Sequence, residues 1–133
     1  MFDKVIEEIK HDEGFVGSPY DDSLGIPTIG YGTKLPLDKY EAELLLKKRF
    51  DDVVVEIKNN IYFFDDLEEN AREVLLNMAY NMGVPRLMRF KKMMRALELR
   101  DYKEAAKEMI NSRWYEQVGN RATKLVMKMS KCV

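Results

Sequence analysis

The sequence predicts an α+β fold, mostly helical, with a small hairpin lobe, a long connecting helix and a C-terminal helical lobe. Three observations predict it. The stretch Glu13–Thr33, EGFVGSPYDDSLGIPTIGYGT, is punctuated by Gly and Pro, whereas the sequence on both sides is helix-patterned. From Asp38 onward, apolar residues recur at three- and four-residue spacing between start and stop signals. With 133 residues, 46% of them hydrophobic, the chain suits one domain or two small lobes that share a helix.

The first helix is expected from about Asp3 to Asp12, with Gly14 as its stop. Its stripe Phe2, Val5, Ile6, Ile9 continues to Glu13, which places a carboxylate on the core-facing side of the helix end. Two strands follow, FVGSPY and IPTIGYGT, joined by the turn-forming DDSLG. Gly17 and Pro19 mark the first as irregular and exposed. Alternation along the second puts Thr28, Gly30 and Gly32 on one face and Ile29 and Tyr31 on the other.

Pro36 breaks the chain, and Asp38-x-x-Glu41 reads as a capping box. It opens a helix with the stripe Leu45, Leu46, Phe50, Val53, Val54, Ile57, ending near Asn59 or Asn60. Some 20 residues of helix span about 30 Å, enough to connect two lobes. The same box recurs at Asp66-x-x-Glu69, ahead of Leu67, Ala71, Val74, Leu75, Met78, Ala79, Met82 and a terminating Gly83. Pro85 starts a basic helix with Phe90, Met93, Met94 and Leu97. Asp101-x-x-Glu104 opens another, with Ala105, Ala106, Met109 and Ile110. Gly119 and Asn120 divide SRWYEQVGNRATKLVMKM into a short helix and a last one. The methionines, Trp114, Tyr115 and Tyr102 read as packing of the helical lobe. The expected parts are a hairpin lobe over 13–37, a connecting helix over 38–60 and a helical lobe over 61–133, with helix 1–12 packing on the last.

Composition excludes several classes. Charged residues make up 34% of the chain and no apolar run approaches about 20 residues, which argues against membrane insertion. The N-terminus, MFDKVIEEIKHDE, is charged within its first helical turn, unlike a secretory signal. A lone cysteine, Cys132, fits a reducing cytoplasm, and with a lone histidine, His11, it makes no common zinc site. No metal and no cofactor are expected. The net charge of −1 hides a division: residues 1–83 carry 9 basic and 18 acidic side chains, residues 84–133 carry 13 and 5. Two readings fit, solvated faces that attract one another or a basic half that draws a polyanion.

Glu13, Asp22 and Thr28 make a hydrolytic set on physical grounds. A carboxyl near apolar surface and at the negative end of a helix keeps its proton more readily, as a general acid must. Asp22, in a polar turn, stays ionised, and a hydroxyl at Thr28 can orient a water. Two carboxylates in contrasting surroundings are the recurring arrangement of glycoside hydrolysis. Spacing alone leaves the plainer alternative open: Glu13 as a helix-end residue and Asp21 and Asp22 as turn formers.

The context DEG…YDD…G-x-x-T-I-G-Y-G resembles the phage-type lysozymes, and most closely the T-even phage lysozymes of glycoside hydrolase family twenty-four. FDDLEENAREVLLNMAYNMG resembles the central helix of that family, and NSRWYEQVGNRA its closing signature. The resemblance implies a lysozyme-like two-lobe fold and an endolysin, monomeric, made in the cytoplasm of the bacterial host. It would cut bacterial cell-wall peptidoglycan at the β-1,4 bond between N-acetylmuramic acid and N-acetylglucosamine, with no role for nucleic acid. It implies Glu13 as the catalytic acid, Asp22 as the second carboxylate and Thr28 as the hydroxyl beside the attacking water. It also implies Arg121 as an arginine reaching the catalytic glutamate, and Tyr20 and Tyr80 as aromatics beside the cleft. Lys34, Met93 and Glu108 stand at substrate-binding positions where the family carries other side chains. The chain is also shorter than the family, in the segment 34–37 and after Met129. Two rivals remain, a lytic transglycosylase, which works with one acidic residue, and a non-catalytic binding module for cell wall or nucleic acid.

Overall fold

Start and stop signals in the sequence set most of the element boundaries. A computed structural model describes residues 2–133. In chain order these form α1 (Asp3–Glu13), β1 (Val16–Asp21), β2 (Pro27–Gly30), β3 (Thr33–Lys34), α2 (Lys39–Asn60), a 3-10 turn (Phe64–Asp66), α3 (Glu69–Met82), α4 (Val84–Leu87), α5 (Lys91–Glu98), α6 (Tyr102–Ile110), α7 (Arg113–Val118) and α8 (Asn120–Ser130). This is the mostly helical α+β class that the sequence predicts. The chain divides into two compact units, Met1–Leu45 and Leu46–Val133.

In the first unit, α1 stops where Gly14 takes φ +69°, a value that L side chains rarely adopt. The three strands form an antiparallel sheet in the order β1-β2-β3. Tyr20 pairs with Thr28 and Asp21 with Pro27, and the register breaks between Val16 and Tyr20, where Gly17 and Pro19 lie. The single strand expected over IPTIGYGT is two. Gly30 (φ +70°) and Gly32 (φ +77°) turn the chain around Tyr31, so Thr28 pairs with Lys34 and Ile29 with Thr33. The alternation expected beyond Gly30 is therefore lost.

The α1 stripe also departs from expectation. Phe2, Val5, Ile6 and Ile9 are 44–68% exposed and α1 buries no residue. What α1 does approach is the β2–β3 turn: Lys10 Nζ lies 6.0 Å from the Tyr31 ring centroid, and Phe15, just past the helix, meets Tyr31 at 5.6 Å in a tilted pair. Thr28 is the one buried residue among those described in this unit.

Helix α2 opens on the predicted box. Glu41 N–H donates to Asp38 Oδ1 at 2.8 Å, and Asp38 N–H donates to Glu41 Oε1 at 3.0 Å. Its apolar stripe is less buried than predicted: Ile57 is enclosed, Val53 and Val54 are half-buried, and Leu45, Leu46 and Phe50 are exposed.

The core belongs to the second unit. Its middle is α3, which buries Ala71, Val74, Leu75, Met78 and Ala79 on adjoining stripes. The box expected at Asp66 and Glu69 does not form. Asp66 closes the 3-10 turn and pairs with Arg100 at 3.6 Å, while the Glu68 N–H is taken by the Tyr102 hydroxyl at 3.0 Å. The basic helix expected after Pro85 is two helices, α4 and α5. The cap at Asp101 forms, accepting the Glu104 N–H at 3.1 Å, and Ser112 caps α7 through the Tyr115 N–H at 3.2 Å. Met78, Met93, Met109 and Met129 have no accessible surface, and Phe90 meets Trp114 edge-on at 6.2 Å. Each such thioether contributes about 1.5–3 kcal/mol by leaving water.

Candidate active site

The hairpin of the first unit organises the residues with chemistry. Asp22 begins the β1–β2 turn, closed by the bonds Gly25 N–H to Asp22 O (2.9 Å) and Asp22 N–H to Ile26 O (3.0 Å). Its side chain turns back onto this loop: Oδ1 accepts from the backbone N–H of Leu24 and of Ile26, both at 2.9 Å. Oδ2 accepts from Lys34 Nζ at 2.6 Å. The Lys34 ammonium and the Ile26 and Leu24 amides together hold the Asp22 carboxyl down to about 2, well below the usual range. Asp22 raises Lys34 in return, and the charges of Glu13 and Tyr20 act on Lys34 in the same direction.

Glu13, the last residue of α1, is exposed rather than tucked against apolar surface as predicted, because α1 lays no apolar face on the hairpin. Its side chain is located by a contact. A Cβ at Gly32 would lie 2.6 Å from Glu13 Oε2, 2.7 Å from Cδ and 3.1 Å from Cγ. The carboxylate therefore rests on bare backbone at the β2–β3 turn. Tyr20 is half-buried on β1, opposite Thr28. Thr28 has 0% exposure, and its hydroxyl donates to Ile26 O at 2.8 Å. The Ile26 carbonyl thus receives both Asp22 N–H and Thr28 Oγ1, so Thr28 braces the turn that presents Asp22. The sequence expects this hydroxyl to orient a water; here it is enclosed and its proton is committed to Ile26 O.

The remaining predicted site residues lie in the second unit. Met93 and Glu108 share a groove of about 650 Å³ with an apolar floor of Met82, Phe90, Met93 and Trp114. Its rim is basic, with Arg86, Arg89, Lys91, Lys92 and Arg113. Tyr80 is exposed on α3. Arg121 of α8 is held by Asn77 of α3: Nε donates to Asn77 Oδ1 at 2.9 Å, and a terminal nitrogen donates to the same oxygen at 2.6 Å.

A sequence model of phage lysozymes matches residues 10–131. The chain belongs to the phage lysozyme family. This places it among the lysozyme-type glycoside hydrolases. The chain is similar to two proteins of Dictyostelium discoideum. Probable T4-type lysozyme 1 is 30% identical over 89 residues, covering 65% of this chain and 52% of its own length. Probable T4-type lysozyme 2 is 25% identical over 158 residues, covering 95% of this chain and 93% of its own. The chain thus spans about half of the first relative and nearly all of the second. It is also similar to the pre-baseplate central spike protein Gp5 of Enterobacteria phage T4, 28% identical over 154 residues, 92% of this chain and 27% of that one.

Within this lysozyme-family chain, the hairpin gathers Glu13, Tyr20, Asp22, Thr28 and Lys34, and one groove holds Met93 and Glu108. Sequence reasoning missed Gly32 as the surface under Glu13. It also missed Lys34 as the partner of Asp22, although DDSLG carried the signal for amides closing on an Asp. Among the described residues there is no group of three or more His, Cys, Asp or Glu that could hold a metal, and no helix is long and apolar enough to cross a membrane.

Proposed function

We propose that the protein hydrolyses bacterial peptidoglycan at the β-1,4 bond between N-acetylmuramic acid and N-acetylglucosamine, acting without a cofactor. The observation that carries this reading is the held Asp22 carboxylate, anchored by two amides and an ammonium in the same hairpin on which Glu13 rests. Glu13 gives its proton to the departing glycosidic oxygen. A water attacks the anomeric carbon from the other face as the C–O bond breaks, and its proton passes to Asp22 and on to solvent. The transition state is close to an oxocarbenium ion, so the water needs orientation and a nearby negative charge more than a strong base. Asp22 suits that task, since three of its four acceptor sites are engaged and the fourth, on Oδ2, is held to accept from a water. This favours inversion over a covalent intermediate. Thr28 contributes through the turn that carries Asp22, and Tyr20 flanks the same place. Tyr80, Met93 and Glu108 of the second unit are taken as further saccharide contacts, and Arg121 keeps the role that the resemblance implies for it.

The held carboxylate also weighs against a lytic transglycosylase, which has no need of a second one. Clearance of permeabilised bacterial cells tests the reading. Wild-type protein should clear the suspension, and Glu13→Gln, folded by circular dichroism, should lose roughly 10²-fold or more. Clearance by Glu13→Gln at the wild-type rate would assign the acid elsewhere, and no clearance by the wild type would favour a binding module.

A further inference from the structure

We infer that Lys34 is a positioning residue for the reaction: it locks the Asp22 carboxylate so that one acceptor site, on Oδ2, remains for the attacking water. The inference rests on the reading of Asp22 given above. A carboxylate offers about four acceptor sites. Leu24 and Ile26 N–H occupy two on Oδ1, and the Lys34 ammonium occupies one on Oδ2. What remains is a single lone pair with a fixed direction.

An ordinary surface ion pair contributes little and wanders; here the Lys34 stem is half exposed, but its partner is held. The Asp22 side chain is only 16% exposed, and its other oxygen is already tied to the loop, so a third bond removes its last freedom to rotate. Lys34 is brought there by sheet register, opposite Thr28 on β2, whose hydroxyl braces the Asp22 turn. Asp22 bonds the ammonium directly, and the nearby charges of Glu13 and Tyr20 also favour its charged form. Lys34 also holds Asp22 as an anion far into acid, so the same contact that aims the carboxylate keeps it charged.

The test compares Lys34→Met and Lys34→Arg with the wild type on a soluble muropeptide oligomer, with folding checked by circular dichroism. Two readouts are taken: kcat against KM, and the carbon-13 titration of the Asp22 carboxyl. Lys34→Met should lower kcat about tenfold at unchanged KM, the loss expected for a reacting group no longer held in line. It should also raise the Asp22 midpoint by about one pH unit. Lys34→Arg, which keeps the cation and its N–H donors, should recover most of both. An unmoved kcat, an unmoved midpoint, or a rise in KM alone would overturn the inference, the last making Lys34 a saccharide contact. Asp22→Asn separates the two levels. If it leaves kcat unchanged, the reading of Asp22 fails. If it abolishes turnover while Lys34→Met does not lower kcat, only the role of Lys34 fails.

Discussion

Gly32→Ala is the change that most directly probes how the hairpin places its acid. The backbone at Gly32 has φ +77°, and a Cβ there would stand 2.6 Å from Glu13 Oε2 and 2.7 Å from Cδ. The strain of a side chain in the left-handed region costs about 1–2 kcal/mol. The steric cost in stability is small, because the opposing atoms are the free end of a flexible side chain. They must nevertheless retreat to an ordinary contact near 3.4 Å, a shift of roughly 0.8 Å for the carboxylate. Misplacing a reacting group by about 1 Å costs on the order of 10²-fold in rate. Gly32→Ala should therefore unfold only modestly earlier on heating and yet clear cell walls about a hundredfold more slowly. The assay pairs turbidity clearance with a thermal melt followed by circular dichroism. A variant that keeps near wild-type clearance while folded would refute the argument that Glu13 must rest on bare backbone. One that loses activity only in proportion to lost folded protein would refute it equally.

Three more outcomes follow from the hairpin. Asp22→Asn should cost far more clearance than Asp21→Asn, since Asp22 alone of the two carries the amide and ammonium bonds described; the reverse order would reassign the second carboxylate. Asp22 has a folded midpoint of about 2 against an ordinary 3.8, so its stabilising effect is complete above the ordinary value and lost as pH falls towards the folded one. The gap in melting temperature between wild type and Asp22→Asn should thus be constant at neutral pH and shrink from about pH 5 to below 2, and a gap at pH 2 as wide as that at neutral pH would contradict the Lys34 and amide bonds. Proton NMR of the first product from a soluble muropeptide oligomer should give the α-anomer. An initial β-anomer, or a glycosyl group trapped on Asp22, would exclude direct attack by water.

The helical half was legible because its signals are local. Asp38 and Glu41, three residues apart, cap each other at the start of one helix, Asp101 caps its own first turn, and Gly14, Gly83 and Gly119 sit at helix ends. Where a distant partner intervened, local reading failed. At Asp66 and Glu69 the box stays open because the Asp66 carboxylate faces Arg100, 34 residues away, and its N–H goes to Phe63 O. The break at Gly30 and Gly32 turned one apparent strand into two, and that fold-back is what carries Lys34 to Asp22 across 12 residues. The types and spacing of Glu13, Asp22 and Thr28 were readable, whereas the surroundings of Glu13 and Thr28 were not. Burial and hydrogen-bond commitment depend on neighbours that no spacing rule names.

The methionine packing of the second unit ties its durability to oxidants. A sulfoxide is polar, and one formed at Met78, Met93, Met109 or Met129 would place an oxygen where no water reaches. While the unit is folded, those four sulfurs are out of reach, Met82 and Met88 are partly covered, and the half-exposed Met127 is the most open to attack. Damage to the core therefore proceeds through opening of the fold, and each event makes reclosure less favourable. In peroxide the unit should persist with Met127 modified first, then fail together once opening becomes frequent. Oxidative lifetime and unfolding are, for this half of the chain, a single quantity.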